Sequence, residues 1–287
     1  MNIGFLGTGL MGQPMVLRLL EAKLNVIAYN RTLSKLQPLQ AAGGKIVSSP
    51  EAVIKASDCI FLMLSDRPAI EQVLLSSQSL PHVTNRTIIQ MGTIAPLESR
   101  AIRDAVVNAG GEYLEAPVLG SIPQVKTGEL IVMVGSTPEQ FEGYLPLLQH
   151  FSNAPMHVGE VGQAAAMKLA LNQLIAGLTA TFALSLGFVS QQGVNIEQFM
   201  SVVRQSALYA PTFDKKLSRM REGNYSNPNF PTKHLLKDTH LFLEQARILG
   251  LDTSSLEGIK QLIDRAIALE LADADYSAIY SAIVLKK

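Results

Sequence analysis

Six residues near the start of the chain, Gly7-Thr8-Gly9-Leu10-Met11-Gly12, limit the fold more than any other feature of the sequence. They follow the apolar, β-like run Asn2–Leu6 and open the amphipathic stretch Met11–Ala22. A G-x-G-x-x-G pattern between strand and helix is typical of a dinucleotide site: the first glycine makes the turn, the second admits the pyrophosphate, and the third lets helix pack on strand. The sequence therefore predicts cofactor contacts at Gly7, Thr8, Gly9, Leu10, Met11 and Gly12.

The residues after the second predicted strand, Val26–Tyr29, indicate which dinucleotide binds. NAD enzymes place an Asp or Glu here, about 20 residues beyond the glycines, to hold the ribose 2′-hydroxyl. This chain has Asn30-Arg31-Thr32 instead. Arg31 can pair with a 2′-phosphate, and Asn30 and Thr32 can form hydrogen bonds with it, whereas a carboxylate would repel it. The sequence favours NADP(H) over NAD(H), and the alternative is that Arg31 is a solvated loop cation.

Short β-rich runs alternate with amphipathic stretches through the first half of the chain, and from Gly162 onward the periodicity is helical. Alternation of this kind is typical of a parallel sheet with crossover helices. We predict an α/β Rossmann-type domain with a parallel sheet over residues 1–161. An all-α domain over 162–287 follows, starting with a long interdomain helix. The predicted strands are Asn2–Leu6, Val26–Tyr29, Cys59–Leu64, Thr87–Met91, Glu112–Ala116 and Leu130–Val134, and the predicted helices are Met11–Ala22, Leu97–Asn108, Gln163–Gln192, Ile196–Ala207, His234–Leu249, Leu256–Leu269 and Tyr276–Val284.

Charge and composition exclude several classes of function. Lys plus Arg and Asp plus Glu number 24 each, so no basic surplus points to nucleic acid. The single cysteine, Cys59, cannot form an intrachain disulfide, and we expect a reducing, cytoplasmic compartment. The apolar stretch Leu174–Val189 is shorter than the roughly 20 residues of a membrane span, so we expect a buried helix at a domain or subunit interface and no membrane contact.

No metal site is predicted. None of the five histidines forms an H-x-x-x-H pair, although His234 and Asp238 lie four residues apart on one predicted helix. The cations Lys215, Lys216, Arg219 and Arg221 are expected to cover a solvated helix face.

Lys168 and Asn172 lie four residues apart in the predicted long helix, and hence on one face of it. The residues around them are small and apolar, and burial in such surroundings lowers the pKa of a lysine. A lysine of lowered pKa can donate a proton to a carbonyl near neutral pH. The residues alone leave two interpretations open: a catalytic lysine, or a lysine whose ammonium reaches solvent from the end of the helix.

Separated segments, in the same order along the chain, together resemble the β-hydroxyacid dehydrogenase family. That family includes 3-hydroxyisobutyrate, tartronate semialdehyde and 6-phosphogluconate dehydrogenases. Within it, Asn30–Lys35 and Phe230–Asp238 most resemble glyoxylate and succinic semialdehyde reductases. The similarity covers nearly the whole chain, and the segments that carry it most clearly are Gly7–Met15, Glu115–Ser121, Gly162–Asn172 and Lys237-Asp238.

The resemblance implies a role for each matching residue. Lys168 would protonate the substrate oxygen as hydride arrives from the nicotinamide, and Asn172 would orient that oxygen or the lysine. Thr93 would meet both cofactor and substrate. Ser121 and the backbone of Gly120 would hold the substrate carboxylate.

The resemblance also implies contacts at the edge of the site. Phe230 would wall the substrate pocket. Lys237 would approach the cofactor and Asp238 the substrate, closing the site from the second domain and excluding water from the hydride. We expect further cofactor contacts at Met63 and Leu64, at the end of the predicted strand Cys59–Leu64.

Leu119 departs from the family pattern, which usually has serine at this position. One donor to the substrate carboxylate is lost. Either Ser121 and backbone N–H groups suffice, or the pocket prefers a longer or more apolar substrate than glyoxylate. Lys126 nearby could attract a distal carboxylate, and the alternative is a solvated loop lysine.

The implied reaction is NADPH-dependent reduction of a small carboxylate substrate: glyoxylate to glycolate, or succinic semialdehyde to 4-hydroxybutyrate. One alternative is NAD(P)-dependent oxidation of a 3-hydroxy acid such as 3-hydroxyisobutyrate, with neutral Lys168 as the base. Another is a non-catalytic NADPH-binding module. Small residues along the predicted long helix suit subunit packing, so we expect a homodimer or homotetramer.

Overall fold

The computed structural model describes residues 1–284, in two compact units. The first unit, Met1–Lys168, contains one sheet with helices around it, and the second begins at Leu169. The strands of the first unit are β1 (Asn2–Leu6), β2 (Asn25–Tyr29), β3 (Lys45–Ile46), β4 (Cys59–Leu62), β5 (Thr87–Gln90), β6 (Glu112–Glu115), β7 (Val118–Leu119), β8 (Ile131–Gly135) and β9 (Met156–Gly159). Its helices are α1 (Gly12–Glu21), α2 (Gln37–Ala41), α3 (Pro50–Ala56), α4 (Arg67–Val73), α5 (Pro96–Asn108), α6 (Ile122–Thr127) and α7 (Pro138–Leu148), followed by the start of α8 (Gln163–Gln191).

The strand order is β3-β2-β1-β4-β5-β6-β8-β7, with β9 paired to β8. Strands β1 to β6 are mutually parallel, which confirms the predicted Rossmann-type sheet. The far edge is different, because β8 is antiparallel to both β6 and β7. The chain turns back through α6 and pairs Leu119 with Ile131, so the prediction of a parallel sheet does not hold at this edge.

Both faces of the sheet are covered. Along β4, Cys59 and Phe61 pack into the core on one face, and Ile60 and Leu62 pack into the core on the other. Strands buried on both faces are continuously apolar, which explains why β1 and β4 were visible in the sequence. The elements that the sequence did not reveal in this unit, α2, α3, α4, α6, α7, β3, β7 and β9, are two to eleven residues long and, α7 apart, too short to display a period.

The second unit is helical, as predicted. After the rest of α8 it contains α9 (Ile196–Gln205), α10 (Pro211–Glu222), α11 (Thr232–Ile248), α12 (Ser254–Ala268) and α13 (Ile279–Ile283), with a 3₁₀ turn at Tyr276–Ala278. The core includes Phe182 and Phe213, whose rings stack with centroids 4.5 Å apart. The cations of α10 were assigned to a helix face, but the range of this helix was not predicted, because its charged residues hide the buried positions Phe213, Leu217 and Met220.

Helix α8 belongs to both units. The division lies between Lys168 and Leu169, inside the helix, whereas the predicted domain boundary lies ahead of it at residue 161. The first turn packs on the first unit, since the N–H groups of Gly162 and Ala165 bond to Glu115. Among residues 1–284, α8 is the one helix long and apolar enough to cross a membrane; core helices of globular proteins pass the same test.

Candidate active site

The glycine turn lies between β1 and α1, and its three glycines are needed for different reasons. Gly7 has φ +99°, and a Cβ there would lie 2.4 Å from the carbonyl oxygen of Met63. A Cβ on Gly12 would lie 2.0 Å from the carbonyl oxygen of Gly7. A Cβ on Gly9 would meet nothing within 4 Å. The fold thus demands the first and third glycines, whereas the second faces open space of the kind that a pyrophosphate needs.

Asn30 ties the end of β2 to this turn. Its amide nitrogen donates to the Thr8 hydroxyl at 2.9 Å, and its amide oxygen accepts from the Thr32 N–H at 2.8 Å. Thr8 is buried, so these bonds fix the middle of the turn. Arg31 is exposed and forms no hydrogen bond or ion pair within residues 1–284. Asn30 therefore shapes the turn, and Arg31 is the side chain with a charge to offer a ligand.

The predicted contacts on β4 and β5 lie at the same edge of the sheet as the glycine turn. Met63 and Leu64 follow β4, and Thr93 follows β5. The loops are closely packed, since a Cβ on Gly92 would lie 2.4 Å from the carbonyl oxygen of Leu64. Met63, Leu64 and Thr93 are half-buried. In open parallel sheets, ligands bind outside the carboxyl ends of the strands, which is where these residues are found.

The segment predicted to hold the substrate carboxylate joins β7 to α6. Gly120 has φ +133°, and a Cβ there would lie 2.6 Å from Leu130 Cδ2, so only glycine fits. Ser121 donates both its N–H, at 3.0 Å, and its hydroxyl, at 3.1 Å, to Gln124 Oε1. Gln124, which the sequence analysis missed, thus occupies the two donors assigned to a carboxylate. Leu119 is half-buried in β7.

Lys168 lies in the second turn of α8 and is buried, with 9% of its surface exposed. The N-terminus of that helix is capped by a buried carboxylate that the sequence analysis did not single out, Glu115 at the end of β6. Glu115 accepts hydrogen bonds from the N–H of Gly162 at 2.8 Å, the N–H of Ala165 at 3.0 Å and the hydroxyl of Ser99. Burial raises the pKa of Glu115, and these donors oppose the rise. A carboxylate at a helix N-terminus is favoured by the helix dipole, so Glu115 fixes the start of the helix that carries Lys168.

In the second unit, Asn172 and Asp238 form a buried pair. They are 3% and 2% exposed, and the Asn172 amide nitrogen donates to Asp238 Oδ2 at 2.6 Å. Asp238 Oδ1 lies 2.8 Å from the ammonium of Lys237. Within the described part of the chain, the buried Oδ1 of Asn172 has no hydrogen-bond partner. Since buried polar atoms nearly always form hydrogen bonds, this oxygen is an acceptor that could receive a hydrogen bond from a ligand or a neighbouring donor.

A buried ion pair between α10 and the segment before α13 lies near Phe230. It shows that the expectation of a fully solvated cationic face on α10 is wrong at Lys216. Lys216 is buried, and its ammonium lies 2.8 Å from both carboxylate oxygens of Asp275 and 4.1 Å from the centre of the Tyr276 ring. Burial lowers the pKa of Lys216, and Asp275 opposes that shift. Lys215 and Arg221 are exposed, as expected.

Phe230 is half-buried against two rings. Its centroid lies 5.7 Å from that of Tyr276 and 6.3 Å from that of His234. Burial and the nearby Lys237 lower the pKa of His234. Among residues 1–284 no group of three or more His, Cys, Asp or Glu side chains could hold a metal ion.

Two family models together match nearly the whole chain. The model for the NAD-binding domain of 6-phosphogluconate dehydrogenase matches residues 2–161, and the model for the NAD-binding domain of NADP-dependent 3-hydroxyisobutyrate dehydrogenase matches residues 162–283. The chain belongs to the β-hydroxyacid dehydrogenase family. It is therefore an NAD(P)-dependent oxidoreductase, which confirms the resemblance drawn from the sequence.

Curated relatives match nearly the full length of the chain. Glyoxylate/succinic semialdehyde reductase 2 of Arabidopsis thaliana is 32% identical over 100% of this chain and 80% of its own length. Glyoxylate/succinic semialdehyde reductase 1 of the same plant is 30% identical over 99% and 98%. The human cytokine-like nuclear factor N-PAC is 28% identical over 99% of this chain, which spans 51% of that protein.

Solved structures share the fold of this β-hydroxyacid dehydrogenase. The 3-hydroxyisobutyrate dehydrogenase of Mycobacterium tuberculosis superposes with a TM-score of 0.88 at 20% identity, covering 98% of both chains. The likeness confirms the predicted order of a Rossmann-type region followed by a helical one.

Proposed function

We propose that this dehydrogenase uses NADPH to reduce small aldehydo or keto acids, glyoxylate or succinic semialdehyde, with Lys168 as the proton donor. The observation that carries the proposal is the buried Asn172, whose amide is held by Asp238 and whose Oδ1 lacks a donor, one helical turn after the buried Lys168. The names of the two Arabidopsis relatives support the substrate class.

The glycine turn fits a dinucleotide, because a ligand can approach Gly9 without meeting a side chain. Arg31 supports NADPH as the dinucleotide, since its exposed guanidinium follows β2 where NAD enzymes have a carboxylate. Leu10, Met11 and Thr32 flank this path, and Met63, Leu64 and Thr93 lie beside it at the same edge of the sheet.

The cofactor, when bound, supplies a hydride to the carbonyl carbon of the substrate. As the C–O double bond becomes single, negative charge develops on the oxygen, and Lys168 Nζ gives it a proton. Asn172 Oδ1 accepts a hydrogen bond from the lysine ammonium or from the nascent hydroxyl, and this orients the donor. The products are the hydroxy acid, the oxidised dinucleotide and a neutral lysine that regains its proton from solvent.

Asp238 is proposed to act through Asn172. A carboxylate can only accept from the amide N–H, so it fixes which end of the amide is free and leaves Oδ1 available for Lys168 or substrate. Lys237 balances the charge of Asp238 at 2.8 Å. We propose that Lys237 and Phe230 contribute to the same reaction, as cofactor contact and pocket wall.

Gly120 and Ser121 are proposed to bind the substrate carboxylate. Ser121 would release Gln124 Oε1 and turn its N–H and hydroxyl to the ligand, exchanging two hydrogen bonds for two charge-assisted ones. Leu119 provides no donor, so a substrate with a longer chain than glyoxylate, such as succinic semialdehyde, is proposed to fit at least as well.

The test is consumption of the reduced nicotinamide by the purified protein with glyoxylate or succinic semialdehyde, with NADPH and NADH compared. A Lys168→Ala variant is expected to bind NADPH normally and to lose a factor of about 10² to 10⁴ in rate. Reduction of neither aldehyde would overturn the substrate proposal. Reduction of NADP⁺ or NAD⁺ by 3-hydroxy acids, with neither aldehyde reduced, would make oxidation the reaction, with Lys168 as base. NADPH binding without turnover in either direction would leave a binding module.

We also propose that the protein is a homodimer or homotetramer, packed through α8. Leu174, Leu178, Leu184 and Phe188 are exposed and lie on one face of the helix within the second unit. Large exposed apolar patches mark association sites. A Phe188→Glu variant is expected to lower the molecular mass measured by light scattering. Cytoplasmic location stays a prediction.

A further inference from the structure

Arg18, in the last turn of α1, is a half-buried cation that faces backbone rather than a carboxylate. Its guanidinium donates to the carbonyl oxygen of Lys126 at 2.7 Å and to that of His150. These carbonyls lie at the ends of α6 and α7, where helix dipoles favour a positive charge. One side chain thus joins the helix that begins at the glycine turn to the ends of two others.

Gly128 lets this contact form. It ends α6 with φ +75°, and a Cβ there would lie 2.1 Å from Arg18 Nη2, so the guanidinium lies directly on the glycine backbone. The contact is backed by apolar packing, because Val125 of α6 is buried in the same core cluster as Met15 and Leu19 of α1.

The other end of α6 carries the segment assigned to the substrate carboxylate. The helix is only six residues long, so the contact of Arg18 with its C-terminus lies about 9 Å from its N-cap, Ser121. On the far side of Ser121, β7 is bound to β8 through the Leu119 and Ile131 pair. With both flanks fixed, Gly120 and Ser121 have one position relative to α1.

We propose that Arg18 is a positioning residue, which holds the carboxylate-binding segment Gly120–Ser121 in register with the dinucleotide helix α1. Arg18 touches neither ligand in this scheme. It acts through the backbone of Lys126 and Gly128, and the inference rests on the proposed role of Gly120 and Ser121 in substrate binding. Its loss should therefore weaken substrate binding and leave dinucleotide binding intact.

The test compares Arg18→Met, which keeps the aliphatic stem, with Arg103→Met, at a half-buried arginine paired with the neighbouring Asp104. Arg18→Met is expected to raise the KM for glyoxylate or succinic semialdehyde about tenfold, through loss of charge-assisted hydrogen bonds, and to leave the Kd for NADPH, from fluorescence titration, within about twofold. Arg103→Met should change neither. An unchanged KM, or an equal rise in the KM for the aldehyde and in the Kd for NADPH, would overturn the proposal.

Hydrogen exchange provides a readout that needs no turnover. The amides of Val125, Gly128 and Glu129 are bonded within the α6 turn. They should exchange faster in Arg18→Met, whereas amides in β1 should not. If the wild-type protein reduces neither aldehyde, the proposed function fails while the exchange result still decides whether Arg18 holds α6. Should Arg18→Met not fold, Gly128→Ala disturbs the same contact from the other side and is expected to raise KM selectively; failure to do so counts against the proposal.

Discussion

The glycine turn and the Asn172 cluster are built in opposite ways. The turn depends on missing side chains: a Cβ on Gly12 has no room, and a Cβ on Gly9 would enter open space. The cluster depends on polar side chains buried in spite of their polarity, Asn172 and Asp238, which are 66 residues apart in sequence. A site made of backbone is local and tolerates few changes of shape, whereas a site made of buried side chains is assembled by the fold and is sensitive to charge.

The contrast within the turn predicts two different outcomes for two alanine substitutions. Gly12→Ala places a methyl group 2.0 Å from the Gly7 carbonyl oxygen, and we expect it to lower the free energy of unfolding by about 3 kcal/mol and to abolish NADPH binding. Gly9→Ala should leave the unfolding free energy unchanged and raise the Kd for NADPH at least about tenfold, because the methyl group would occupy the space proposed for the pyrophosphate. Denaturant unfolding and fluorescence titration measure the two effects. Equal destabilisation by both variants would contradict this division of roles.

The buried cluster should respond to charge rather than to shape. Asp238→Asn keeps the volume but replaces the charged, acceptor-only carboxylate by a neutral amide that can also donate, so the Asn172 amide is no longer held in one orientation. We expect kcat to fall about 10- to 100-fold, the loss of a hydrogen bond to a charged group. NADPH binding should change little. Asp264→Asn, which breaks the partly exposed Lys260 pair on α12, serves as the control and should leave kcat unchanged. A normal kcat in Asp238→Asn would remove Asp238 from the mechanism.

Sequence reasoning reached the backbone site and only part of the side-chain site. The spacing of the glycines from Gly7 to Gly12 predicted the dinucleotide turn, and continuous apolar residues predicted β1 and β4. The roles of Lys168 and Asp238 came through family resemblance, since no local pattern shows that Asp238 meets Asn172. Glu115 and Gln124 were missed because each acts on a neighbour that folding brings to it. Lys216 was misjudged because its partner, Asp275, lies 59 residues away.

Arg31 tests whether an exposed side chain beside the glycine turn contributes to dinucleotide binding without contributing to stability. Arg31→Ala removes an exposed guanidinium that holds nothing together within residues 1–284, so the unfolding free energy should not change. The Kd for NADPH should rise about tenfold, and that for NADH should stay constant. Arg67→Ala, at a partly exposed arginine paired with Glu71, is the control. Parallel weakening of both dinucleotides would show that Arg31 does not read the 2′-phosphate.

Glu115 offers the smallest and most specific test, of pH dependence. Burial raises its pKa above the ordinary 4.5, so the folded chain holds this proton more firmly than the unfolded chain. Stability from this group is therefore fully present below the ordinary pKa and is lost as pH rises through the raised one, by about 1.4 kcal/mol for each unit of pKa difference. In Glu115→Gln the amide oxygen can still accept from Gly162 and Ala165, and the amide nitrogen can donate to Ser99, so the fold is retained while the titration disappears.

The measurement is the difference in unfolding free energy between the wild-type protein and Glu115→Gln across this pH window, which should fall as pH rises. Glu139 supplies a control of opposite sign. It is exposed in the first turn of α7, and hydrogen bonds with its own backbone N–H and with Thr137 lower its pKa below 4.5. Its contribution is present above the ordinary pKa and is lost as pH falls, so the same difference for Glu139→Gln should rise with pH. If the difference for Glu115→Gln instead does not change with pH, the pKa of Glu115 is the same in the folded and the unfolded chain, and burial of this cap on α8 carries no electrostatic cost.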